Sequence, residues 1–199
     1  MAELHSVKTV FLDRDGVVTV ERGLYADPGL LELLPGSAEA VRSLNHAGIR
    51  VIMITNQPGP AKGVCTMDDV NAMHTRLASM LATHGAHLDR IYSCAHHPEK
   101  NERGDPALQI ECSCRKPKPG MLLTAKNDFG LDFAHCVMIG DASSDILAAK
   151  AAGVRSILVK TGRGILEGTP DPDFIFPTLL DAVTAILQGY KEPEHSKQS

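Results

Sequence analysis

Apolar, β-branched runs alternate along this chain with longer stretches in which apolar residues recur at helical spacing. Val7 to Leu12 reads as a first strand and Val51-Ile52-Met53-Ile54 as a second. Ile91-Tyr92-Ser93, Val137-Met138-Ile139 and Ser156-Ile157-Leu158-Val159 read as three more. Between them the periodicity predicts helices over residues 37–47, 67–84, 119–128 and 143–152. Gly48 and Gly153 each fall between the end of a predicted helix and the next strand, where glycine commonly stops a helix. Strands that are apolar throughout, rather than alternating, belong to a sheet covered on both sides. The alternation therefore predicts an α/β fold: a Rossmann-like parallel sheet with helices on both faces. Ligands of such sheets bind beyond the carboxyl ends of the strands.

Two stretches interrupt this rhythm. Residues 58–66 form a Gly/Pro loop, and residues 94–118 a long polar loop that carries Cys94, Cys112 and Cys114. Loops of that length inside a compact domain are usually functional or disordered. One domain over residues 1–190 is expected, with 191–199 a polar, disordered tail. At 199 residues and 43% hydrophobic, the chain can bury one sizeable core. A net charge of −4, 4% aromatics and no Trp argue against a nucleic-acid binder, which would need a basic stripe with stacking rings. No apolar run approaches the ~20 residues that span a bilayer. Residues Met1 to Ser6 carry neither a basic segment nor an apolar one, so no membrane partner and a cytoplasmic location are expected. Five cysteines, an odd number, read as reduced thiols rather than disulfides. A monomer is the default expectation.

The chemistry collects at the predicted strand ends. Asp13-Arg14-Asp15-Gly16 follows the first strand, and two carboxylates one residue apart point the same way while the chain stays extended. Such a pair suits a metal site or covalent catalysis, although an Asp-Gly hairpin turn also joins apolar strands. Thr55-Asn56-Gln57 follows the second strand, where a hydroxyl and a backbone N–H could hold a phosphoryl oxygen, or could simply make a polar turn. Gly140-Asp141-Ala142-Ser143-Ser144-Asp145 follows a later strand. Asp141 there could ligate a metal, or Asp141 or Ser143 could cap the helix. In Arg115-Lys116-Pro117-Lys118-Pro119 the prolines stiffen a cationic segment that could offset phosphate charge.

These four elements, in this order, resemble the haloacid dehalogenase phosphatase superfamily. The matching positions are Asp13-Arg14-Asp15-Gly16, Thr55, Lys116 and Gly140-Asp141 through Asp145. The resemblance implies that Asp13 attacks phosphorus to form an aspartyl-phosphate, and that Asp15 protonates the leaving alkoxide and then activates water. It implies a Mg²⁺ ion held by the Asp13 carboxylate, the Asp15 carbonyl and Asp141, with Thr55 and Lys116 completing the catalytic set. Arg14, Asn56, Gln57, Lys62 and Arg115 are the expected substrate contacts. A catalytically silent phosphosugar-binding protein is the alternative from another class.

Cys94, His96, Cys112 and Cys114 supply a donor set suited to tetrahedral Zn²⁺, with His97 an alternative to His96 and free thiols the plain reading. Four protein ligands leave no open position, so such a zinc is structural and would fix Arg115 and Lys116. The zinc-binding loop and the lack of room for a large cap domain extend the resemblance to the heptose bisphosphate 7-phosphatases and histidinol-phosphate phosphatases. A small phosphorylated sugar is the implied substrate, a heptose 1,7-bisphosphate first and histidinol phosphate as the alternative. Lys62 and Arg115 would take the second phosphate. Ala142 departs from the basic or polar residue common in such relatives. Of the rest, Cys136 is assigned to the core, and His46, His74, His84, His87 and His135 to the surface.

Overall fold

The computed structural model describes residue 4 and residues 6–190; the tail expected at 191–199 lies outside the described residues. Six parallel strands form one sheet: β1 (Thr9–Leu12), β2 (Arg50–Asn56), β3 (Arg90–Cys94), β4 (Cys136–Gly140), β5 (Arg155–Val159) and β6 (Phe174–Phe176). Their order across the sheet is β3-β2-β1-β4-β5-β6. Helices α1 (Ser37–His46), α2 (Met67–Thr83), α3 (Gly120–Phe129), α4 (Ser143–Ala152) and α5 (Leu179–Leu187) cover it.

Alternation along the strands explains why they are apolar throughout. Val10 and Leu12, Val51 and Met53, and Val137 and Ile139 enter a core that holds Leu44 of α1, Leu77 and Leu81 of α2, and Val183 and Ile186 of α5. The intervening Phe11, Ile52, Ile54 and Met138 enter a second core with Met121, Leu122 and Ala125 of α3 and Ala148 and Ala149 of α4. Each fully buried aliphatic side chain contributes about 1.5–3 kcal/mol. The sheet is therefore stabilised from both faces, so a polar substitution on either side of a central strand would be buried. Cys136 is 1% exposed and sits in the second core.

The expected strands and helices are present, most with ends shifted by one or two residues, and one strand and one helix are added. β1 begins at Thr9 rather than Val7. β2 runs on through Thr55 and Asn56, because these residues pair with Ser93 and Cys94 of β3. The additions are β6, a three-residue edge strand, and α5, whose start is fixed by a capping box between Thr178 and Asp181. Among the described residues no helix is long and apolar enough to cross a membrane.

The consequence for function lies in the strand order. Chain direction reverses its progress across the sheet between β1 and β4, and a crevice opens at the carboxyl ends on either side of such a switch. Asp13 leaves β1 there and Asp141 leaves β4.

Candidate active site

A cavity of about 320 Å³ lies at this switch point, lined by Asp13, Asp15, Thr55, Asn56, Gln57, Lys62, Arg115, Lys116 and Asp141 among others. Four separate stretches of chain thus meet around one space. Asp13 stays in register because its N–H donates to the Ile139 carbonyl at 3.0 Å, extending β1 by one residue. Gly16 then turns the chain at φ +80°, a left-handed value that glycine adopts without strain. Its N–H donates to the Thr19 carbonyl at 2.7 Å, closing a tight loop that presents Asp15 to the cavity.

Lys116 is the cation at the centre. Its side chain is 3% exposed, and Nζ lies 3.0 Å from Asp13 Oδ1, 2.6 Å from Asp145 Oδ1 and 2.8 Å from the Ile54 carbonyl. Burial alone would depress this ammonium, but the two carboxylates hold it above its ordinary value. Asn56 fixes the lysine's backbone reciprocally: Nδ2 donates to the Lys116 carbonyl at 3.0 Å, and Oδ1 accepts from the Lys116 N–H at 3.1 Å. Gln57 Nε2 donates to Thr55 Oγ1 at 2.9 Å and to Asp15 Oδ2 at 3.0 Å. The Thr55 hydroxyl accepts that bond, which leaves its own proton to be donated into the cavity.

Asp141 is not the cap of α4, and neither is Ser143. The N-cap is Ala142, whose N–H is taken by Asp145 Oδ2 at 3.1 Å. Asp141 is held instead by the segment after β5, where the Arg163 N–H donates to Oδ2 at 2.7 Å and the Gly164 N–H to the Asp141 carbonyl at 2.7 Å.

Arg14 departs from expectation. Its side chain is 1% exposed and is absent from the cavity lining, because its guanidinium turns back to pair with Asp15. The loop over residues 21–27, expected from the sequence to shape the pocket, contributes Glu21, Gly23 and Leu24 to the lining, whereas Ser144 and Arg163 line the cavity and do not figure among the expected site residues. Arg163 follows β5, so the same strand-end rule that picks out Asp13 and Asp141 also reaches it. His74, assigned to the surface, is half-buried with Nε2 shielded from solvent; burial pushes its pKa down to about 4, and the Arg14 charge adds to the effect.

Comparison with known proteins agrees with this architecture. A family profile described as HAD-hydrolase-like matches residues 113–182. The chain is 38% identical over 189 residues to a D-glycero-beta-D-manno-heptose-1,7-bisphosphate 7-phosphatase of Yersinia pestis, covering 94% of this chain and 98% of that one. The chain belongs to the haloacid dehalogenase-like phosphatases. A D-glycero-D-manno-heptose-1,7-bisphosphate 7-phosphatase of Thermosynechococcus vestitus is 43% identical over 183 residues, covering 87% and 92% of the two chains. Among solved structures, a D,D-heptose 1,7-bisphosphate phosphatase from B. bronchiseptica in complex with magnesium and phosphate superposes with a TM-score of 0.81. That protein is 34% identical, and the match covers 92% of this chain and 99% of it.

The acidic cluster of this phosphatase fits a divalent cation. Carboxylate oxygens of Asp13, Asp141 and Asp145 lie within 4.8 Å of one another. Burial pushes the Asp13 carboxyl up to about 6; Lys116 pulls against that, while Asp145 and Asp15 add repulsion. Burial likewise pushes Asp141 up to about 6, opposed by the Arg163 N–H and reinforced by Asp13. Hard oxygen donors crowded beyond what one lysine neutralises are what Mg²⁺ takes. Two glycines make room for the cluster: a Cβ at Gly162 would stand 1.9 Å from Asp141 Oδ2, and one at Gly16 2.4 Å from it. Asp145 is already engaged by Lys116 and Ala142, which leaves Asp13 and Asp141 as the carboxylates that would hold the ion.

The second metal group is equally defined. Cys94 Sγ lies 3.1 Å from Cys114 Sγ and 3.7 Å from Cys112 Sγ, with Cys112 and Cys114 3.3 Å apart. His96 Nδ1 lies 3.3 Å from Cys114 Sγ and 3.7 Å from Cys94 Sγ. All five cysteines are free, and these spacings are those of ligands around a shared ion rather than of a disulfide. His97 is turned aside, its Nδ1 accepting from the Glu99 N–H at 3.3 Å, so His96 completes the set. Burial pushes the Cys94 thiol far up, which a bound Zn²⁺ would reverse. The Arg115 N–H donates to Cys112 Sγ at 3.4 Å and its guanidinium to the His96 carbonyl at 3.4 Å. Zinc thereby ties the loop to a cavity-lining cation. Stripping zinc with a strong chelator is expected to lower kcat/KM by about 10–100-fold, with recovery on adding Zn²⁺. Metal analysis and rate measured on the same samples check this.

Proposed function

We propose that this enzyme removes the 7-phosphate of D-glycero-D-manno-heptose 1,7-bisphosphate, a step in making heptose precursors for lipopolysaccharide or related glycans. The observation that carries the reading is the sorting of charge in one cavity. Lys116 is committed to Asp13 and Asp145 at the reaction centre, while Lys62 and Arg115 line the same space, held only by a 4.0 Å pair with Glu99 and a 3.4 Å bond to the His96 carbonyl, and would take a second phosphate. A histidinol-type amine would instead want an anion at that position. The cavity's Glu21 is already paired with Arg163 at 2.8 Å.

In this reading an Asp13 oxygen attacks phosphorus as the bond from phosphorus to the C7 oxygen breaks, and Asp15 gives its proton to the departing alkoxide. Water then attacks the aspartyl-phosphate; Asp15 takes the water's proton, Asp13 is released as carboxylate, and inorganic phosphate leaves. Thr55 and Lys116 hold phosphoryl oxygens through both displacements. Asp13, Asp141 and the Asp15 carbonyl would hold Mg²⁺, which when bound would neutralise charge that collects on the transferring group.

A cytoplasmic monomer without nucleic-acid or membrane partners completes the proposal, supported by the free thiols and the net charge of −4. Steady-state hydrolysis of both anomers of the 1,7-bisphosphate, of sugar monophosphates and of histidinol phosphate tests it. The bisphosphate is expected to lead in kcat/KM by about 10²-fold, the worth of a charge-paired second phosphate at roughly 2–3 kcal/mol. Equal rates across the panel, or preference for histidinol phosphate, would overturn the substrate assignment.

A further inference from the structure

Arg14 is among the largest side chains with essentially no solvent exposure, and all its side-chain hydrogen bonds go to one partner. Nε donates to Asp15 Oδ1 at 3.0 Å and to Oδ2 at 3.2 Å, and the terminal Nη2 donates to Oδ2 at 2.8 Å. Its other terminal nitrogen, Nη1, is buried with no hydrogen-bond partner among the described residues. The Tyr25 hydroxyl and His74 Nε2, both within reach of the Arg14 charge, are in the same condition. A guanidinium buried with one terminal nitrogen unbonded is costly, and an apolar side chain of similar volume would fill the space at less cost. What an apolar residue could not do is grip both oxygens of a carboxylate.

We propose that Arg14 is a positioning residue that sets the plane of the Asp15 carboxylate, so that its proton-transferring oxygen faces the leaving group. This rests on the phosphatase reading of Asp15 as acid and then base. Thr19 Oγ1 donates to Asp15 Oδ1 at 3.1 Å and Gln57 Nε2 to Oδ2 at 3.0 Å, each a single bond from a neutral donor to one oxygen. Arg14 alone engages both, and a two-point contact fixes the plane as well as the position. The arginine does not line the cavity, so it acts on the substrate only through Asp15.

The prediction follows from which steps need a positioned proton donor. An alkyl leaving group such as a sugar hydroxyl must be protonated as it departs; a nitrophenolate need not be. In Arg14→Met, kcat/KM for the heptose bisphosphate is expected to fall by about 10²-fold, and that for p-nitrophenyl phosphate by less than roughly threefold, the range general-acid catalysis supplies. Since hydrolysis of the aspartyl-phosphate still needs Asp15 as base, the aryl ester should show a burst of nitrophenolate followed by slow turnover. Arg14→Lys, which keeps the charge but not the fork, should share the defect. Thermal unfolding of each variant reports whether the fold is intact, and a lysine variant that folds carries the test if the methionine one does not. Equal losses on both esters, no loss on either, or full recovery in Arg14→Lys would overturn the assignment. Failure of the underlying phosphatase reading shows elsewhere, in wild-type enzyme that cleaves neither ester.

Discussion

Asp13→Asn is expected to abolish turnover, lowering kcat by about 10⁴-fold or more, equivalent to ~5.5 kcal/mol of barrier at ~1.4 kcal/mol per tenfold. The amide cannot attack phosphorus, yet it keeps an oxygen where Asp13 Oδ1 now accepts the Arg14 N–H at 2.7 Å. The fold should be untouched or firmer. Burial raises the Asp13 carboxyl from 3.8 to about 6, so in metal-free protein the folded chain holds this proton more tightly than the unfolded one. Its contribution to stability is then fully present below pH 3.8 and is lost as pH rises through about 6. The asparagine variant, with nothing to titrate, should lose less stability over that window. Phosphate release with Mg²⁺ present, and thermal melts from pH 4 to 7 without added Mg²⁺, check the two halves. A variant that still turns over would remove Asp13 from the nucleophile's role.

Lys116→Met should have the next largest effect, and it should damage stability as well as rate. The ammonium is the only cation within 4.0 Å of Asp13 and Asp145 among the described residues. Removing it leaves two carboxylates facing each other, Asp145 fully buried and Asp13 at the cavity wall, which costs about 3–5 kcal/mol for a broken buried pair. Loss of a cation aimed at the transferring group lowers kcat by about 10²–10³-fold. A second substitution separates the two effects. Lys116→Met combined with Asp145→Asn relieves the repulsion and should recover much of the melting temperature without recovering activity. If the double variant regained rate along with stability, Lys116 would be a structural residue only.

Much of this architecture can be read in the residues, and the exceptions have physical causes. Strands β1, β2, β4 and β5 are legible because both of their faces are buried, so each is a continuous apolar run that no helix or loop mimics. The edge strand β6 is three residues long, and Ile175 is half exposed, so its pattern is too short and too mixed to stand out. Asp13, Thr55, Lys116 and Asp141 announce themselves by standing at strand ends or beside stiffening prolines. Arg14 does not: a long, flexible side chain beside two acids can reach into a cavity or fold back, and the sequence holds nothing that chooses. His74 is hidden for a related reason. Its helical neighbours Met73 and Leu77 are core residues, but a histidine beside them gives no sign that its ring feels the charge of a buried guanidinium. Arg163 follows a strand end with no acid directly beside it, and its contact with Asp141, 22 residues away, forms only in the folded chain.

The separation of these parts along the chain has a consequence for what holds the site together. Thr161 Oγ1 donates to the Gly16 carbonyl at 2.6 Å across 145 residues, and the Arg163 N–H closes on Asp141 from the same late segment. Asp141 and the turn after β1 are thus held in part by the segment that follows β5, so a chain lacking that segment would keep Asp13 and Asp141 without these two contacts.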